Sequence, residues 1–83
     1  MHYASSNFLA WQRADRAATA AERTVFNYQR NLAFSYERGA AFPKPPSKAE
    51  EAEAVALRAM ATELLRIFLE ETRARAALLR EHW

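Results

Sequence analysis

The side chains with the most chemical potential in this chain are its arginines. Arg16, Arg23 and Arg30 recur every seven residues, with Arg13 and Arg38 near the same side. On a helix such a row returns to nearly one face and spans about 21 Å at helical rise. That spacing suits the phosphates of an RNA backbone. Asp15 and Glu22 lie on the adjacent row, however, and no aromatic platform alternates regularly with the arginines. A second row, Arg66, Arg73 and Arg80, is interleaved with Glu63, Glu70 and Glu81. It reads as a solvated face with i,i+3 and i,i+4 pairing. By analogy the first row reads the same way, and a small dimeric nucleic-acid-binding protein using Arg16, Arg23 and Arg30 stands as the alternative function.

Catalytic and metal chemistry have less to draw on. His2 and His82 sit at opposite ends of the chain, where an antiparallel hairpin would bring them together near Glu81. No second pair at metal-ligand spacing accompanies them, so no metal and no cofactor is expected. With no cysteine there is no disulfide, thiolate zinc site, iron–sulfur cluster or cysteine nucleophile. Paired-carboxylate catalysis needs two acids in a dry cleft. Each glutamate here has a nearby arginine or an exposed helical position, so the chain is read as no enzyme. Pro43-Lys44-Pro45-Pro46 has PxxP spacing, better explained as a semi-rigid turn than as a ligand for a polyproline-reading groove.

The elements that must position these groups follow from composition. Nineteen of the 83 residues are alanine, and Val25, Val55 and Ile67 are the only β-branched aliphatics. A sheet has almost nothing to build from. The single glycine, Gly39, and the three prolines at 43, 45 and 46 mark one interruption. The sequence therefore predicts an all-α fold. It is a single domain over 1–83, an antiparallel two-helix hairpin with long helices over about 7–38 and 48–82 and a hinge at 39–47. Ser5 or Ser6 is the expected N-cap of the first helix, and Gly39 its C′ residue. Ser47-Lys48-Ala49-Glu50 fits a capping box for the second, with Glu51 and Glu53 in its first turn. Helices of this length run to about 50 Å, against a diameter of about 30 Å for a compact chain of this size.

Helix 1 carries Trp11, Ala14, Ala18, Ala21, Val25, Tyr28, Leu32 and Ser35 on one stripe, spaced three and four. This is a packing seam whose small residues admit a close neighbour. Helix 2 has Leu57, Met60, Leu64, Ile67, Ala74 and Leu78 on one stripe, with Phe68 at its edge. A second row, Leu65, Leu69, Ala76, Leu79 and Trp83, lies further round. One partner helix cannot cover so broad an arc, and a two-helix chain this small buries too little surface alone. Self-association follows as an expectation, with a dimeric four-helix bundle favoured. Glu71 and Arg75 interrupt the first stripe as an i,i+4 pair that could fix register. Tyr3, Trp11 and Trp83 are expected to close the open end, and Phe42 to fold back at the hinge.

The chain resembles the all-helical chorismate mutases in its long first helix and proline-containing connection. That family sets a lysine from the first helix against a dicarboxylate, and helix 1 here has no lysine. The chain is also similar to type III secretion needle subunits in length and in its Pro/Ser hinge, without their apolar C-terminal ending. It lacks the Trp-x-Gly hinge of the small secreted hairpins named for that motif.

The resulting expectation is a non-catalytic helical interaction module that self-associates and binds another protein, as an adaptor, chaperone or regulatory subunit. A formal net charge of +2 permits an acidic partner without demanding one. No run approaches the roughly 18 apolar residues of a membrane span, and residues 1–13 lack the pattern of a signal peptide. A cytoplasmic location is therefore expected. Helix 2 is as acidic as it is basic, which argues against adsorption to an anionic membrane.

Overall fold

A computed structural model describes residues 5–39 and 41–81. They form α1 (Ser6–Arg38) and α2 (Lys48–Glu81), with no strand among the described residues. The chain is an all-α helical hairpin. Its helix bounds lie within a residue of those read from the sequence, residue 82 being outside the described part.

The caps explain the bounds. Ser5 keeps an extended backbone and its Oγ accepts from the Phe8 N–H at 3.0 Å. This satisfies one of the donors that every helix start leaves free. At the other end Gly39 takes φ 65° and ψ 23°, the left-handed conformation that ends a helix most easily in glycine. The start of α2 is a reciprocal box: the Glu50 N–H donates to Ser47 Oγ at 3.1 Å, and the Ser47 N–H donates to Glu50 Oε1 at 3.2 Å.

The two helices are offset along their common axis. The Phe8 and Phe68 rings stand 5.4 Å apart. Ser5 Oγ and Asn7 Nδ2 both donate to Glu71 Oε2, at 3.4 and 2.5 Å. The start of α1 is thus level with Glu71, and α2 continues ten residues further, about 15 Å at helical rise.

At the hinge end the linker takes up the difference. Residues 41–47 double back along the last turns of α1. Ser35 Oγ, bonded to its own helix at Asn31 O, also reaches Ala41 O at 3.1 Å. Phe42 packs on Tyr36 at 5.2 Å, and Pro45 and Pro46 share a groove with Tyr28 and Thr24. The molecule measures 66 × 23 × 21 Å, with a radius of gyration of 19.3 Å, where a compact chain of this length has about 12 Å.

On α1 the seam is the stripe read from the sequence: Ala18 and Ser35 are buried, and Trp11, Ala14, Ala21, Val25, Tyr28 and Leu32 are half-buried. On α2 the structure differs. The face turned to α1 is Ala54, Leu57, Ala61, Leu64, Phe68 and Glu71, so Phe68 is central, whereas Met60, Ala74 and Leu78 are exposed. The physical reason is the close approach of the two backbones. Alanine at alternate layers lets the helices come together, and the larger side chains move to the edges. Met60 and Ile67 fall to one side and Leu65 and Leu69 to the other.

The buried set is therefore small: Ala18, Ala54 and Ala61 at 0, 6 and 1% exposure, with Ser35. Among the described residues no large side chain is fully buried. The chain exposes 7039 Å², against about 5,000 Å² for a compact monomer of its mass.

Candidate interaction surface

The surface richest in large apolar side chains lies along one edge of the hairpin. On α2 it runs from Val55 through Leu65 and Leu69 to Ala76 and Leu79. Leu65 and Ala76 are half-buried and the other three are exposed, Val55 at 72% and Leu79 at 63%. Phe26 is exposed on α1, and helical periodicity places it on the same edge. Near its hinge end this edge is indented by an open groove lined by Val25, Ala54 and Val55 together with Glu22, Glu51 and Arg58. The opposite edge offers Met60 and Ile67.

Arg58 dominates the polar part. Its Nε and Nη2 donate to the two carboxylate oxygens of Glu22 at 3.1 and 2.6 Å, Nη1 donates to Asp15 at 2.8 Å, and Nη2 also reaches Thr19 Oγ1 at 3.3 Å. These hydrogen bonds hold the Glu22 carboxyl below its ordinary value and raise the guanidinium further above its own. The contact pins α2 to α1 in one register. On the outer face of α2, Arg66 bridges Glu63 and Glu70, both at 2.5 Å, and its hydrogen bond lowers the Glu63 carboxyl. Glu71, half-buried, also pairs with Arg75 at 2.9 Å.

This arrangement changes the arginine row of α1. Arg16, Arg23 and Arg30 are all exposed on the side away from the seam. Asp15 and Glu22, their acidic neighbours in sequence, turn instead to Arg58. Among the described residues Arg13, Arg16, Arg23 and Arg30 have no ion-pair partner, and Arg38 lies over the Phe34 ring at 5.4 Å. On α2 the expected pairing appears at Arg66, while Arg73 and Arg80 form none with described residues.

Of the residues singled out in the sequence, Trp11, Val25, Tyr28, Leu32, Leu57, Leu64 and Phe68 come together along the seam. Leu65, Leu69 and Leu79 lie along the groove edge, Met60 and Ile67 along the other, and Leu78 on the overhanging end of α2. Trp11 packs on Phe8 at 5.8 Å. His2, Tyr3, His82 and Trp83 lie outside the described residues. Among those described, no group of three or more metal-ligating side chains gathers at one place. Sequence reasoning passed over Arg58. Its signal was available, because it flanks the α2 seam opposite two acids one heptad apart, Asp15 and Glu22. The roles of Asn7 and Ser35 carry no comparable signal.

No known protein family, curated protein or solved structure matches the chain. Among the described residues no helix is long and apolar enough to cross a membrane.

Proposed function

We propose that the chain is a non-catalytic helical interaction module that self-associates, two hairpins forming a four-helix assembly whose remaining faces bind another protein. Adaptor, chaperone and regulatory subunit are the roles this architecture suits. The observation that carries the reading is the buried set of three alanines and a serine. A hairpin that buries none of its large apolar side chains fully and carries several more along its edges gains most by covering those edges. Each large aliphatic side chain left wet forgoes on the order of 1.5–3 kcal/mol. Light scattering across concentration is the test. A mass of twice 9.5 kDa is expected, and a single-chain mass at high micromolar concentration overturns the reading.

A second reading is favoured by one observation, the withdrawal of Asp15 and Glu22 to Arg58. It leaves Arg16, Arg23 and Arg30 as an uncompensated cationic row, suited to the phosphates of a nucleic acid. Titration with hairpin RNA at about 50 and 200 mM salt tests it, since phosphate contacts weaken steeply over that range. Equal affinity at both salts, or none, removes it.

A further inference from the structure

We propose that two copies pair through α2 in a single antiparallel register centred on the level of Ile67, so that the overhanging end of each α2 lies in the partner's groove beside Val55. This rests on the self-association reading and gives it an interface.

The row along the edge of α2 is symmetric end for end. From Val55 to Leu79 the edge of α2 places residues at alternating spacings of three and four, the pattern of a helix-packing seam. Turned end for end about residue 67, the row falls on itself, as a two-fold interface requires. Val55 meets Leu79 of the second copy, Leu65 meets Leu69, Thr62 meets Thr72, and Arg58 meets Ala76. Each layer is matched in chemistry or size. The Thr72 hydroxyl already donates to Phe68 O at 3.0 Å, so it enters the contact satisfied. Arg58 is held back by Asp15 and Glu22 and faces a small residue.

The offset of the helices leads to the same register. Residues 72–81 extend beyond the level at which α1 begins, with Leu79 exposed. The groove at Val25, Ala54 and Val55 is the apolar hollow lying opposite Leu79 in this register. Each overhang then gains the two helices of its partner as neighbours. Over about 36 Å of shared α2 length, most of the cross-section has three helices, with four at the centre.

Charge agrees with the same pairing. At its tip the overhang brings Arg80 toward the acidic start of α2 in the other copy, where Glu50, Glu51 and Glu53 cluster. Arg80 of one copy comes level with Ala54 of the other, one turn from Glu51 of the groove. The area is sufficient as well. The chain exposes about 2,000 Å² more than a compact monomer of its mass, and a stable interface takes about 800 Å² from each partner.

The chain has no cysteine, so the register can be read by cross-linking. Val55→Cys and Leu79→Cys chains are prepared separately, mixed, and treated with a short bifunctional maleimide, whose reach relaxes the geometry a disulfide demands. The mixture is expected to give a covalent dimer, and each variant alone none, because like positions lie far apart in this register. Thr62→Cys mixed with Thr72→Cys provides a second pair at exposed positions. Mass by light scattering is measured on all four variants. Cross-linking of Val55→Cys with itself, or none in either mixture while the mass stays dimeric, overturns the register and leaves self-association standing. A single-chain mass for the unmodified protein overturns both.

Discussion

Arg58 of α2 grips Glu22 of α1 at two points, with Nε and Nη2 each on a separate carboxylate oxygen, across 36 residues of sequence. A planar guanidinium fork makes this contact and an ammonium cannot. With Asp15 as a third point, the arginine specifies which turn of α2 faces which turn of α1. An alanine seam alone does this weakly, because one alanine layer resembles the next.

The same contact sets a pH dependence. The Glu22 carboxyl is held below its ordinary value of 4.5 by the hydrogen bonds from Arg58. Its contribution is therefore fully present above that value and is lost as pH falls through the lowered one. Urea denaturation of the native chain is expected to show stability falling below about pH 4.5. Arg58→Gln should flatten that acid limb without abolishing it, since Glu63 is lowered independently by Arg66. An unchanged acid limb in the variant would contradict the assignment.

The alanine layers make a prediction about size. Ala61 is 1% exposed, so Ala61→Leu forces extra volume between closely packed backbones and should cost about 1–3 kcal/mol. Ala59→Leu, on an exposed position two residues away, should change stability by no more than about 0.5 kcal/mol. Equal urea midpoints for the two would show that the seam is not where the structure places it.

Gly39 gives a third test. A Cβ there meets nothing within 4 Å, yet φ is +65°, so the cost of Gly39→Ala is purely conformational, about 1–2 kcal/mol. Gly39→Asn should recover part of it, since asparagine tolerates the left-handed region better. Thermal unfolding of the two variants side by side measures the difference.

The edges of α2 can be distinguished by charge. Leu69→Glu should shift the light-scattering mass toward the single chain, with only partial loss of helical circular dichroism. Met60→Glu, on the opposite edge, should leave the mass unchanged. The reverse result would move the interface to the Met60 and Ile67 side.

The hairpin was legible in the sequence because its signals are local. Gly39, the Ser47 and Glu50 box, and the absence of other breakers each act within a turn of the chain. The seam of α1 was legible too, since its stripe alternates three and four over 24 residues. The seam of α2 was not, because apolar residues cover more than half its circumference and any of several stripes satisfies the period. What selects Ala54 and Ala61 over Met60 and Ile67 is the distance of approach, set by both helices together. The offset between helices was hidden for a similar reason. It depends on residues 41–47 folding along α1, and nothing in their composition distinguishes that path from a simple turn.

The contacts at the end away from the hinge join residues sixty or more positions apart: Phe8 to Phe68, Asn7 and Ser5 to Glu71. Contacts near the turn close short loops and form early, while these close the longest loops among the described residues. They act as a clasp, fastened last in folding and released first in any partial opening. Amide exchange in the first two turns of α1 should consequently outpace exchange around Ala18, and tightening the aromatic cluster would slow unfolding more than it would hasten folding.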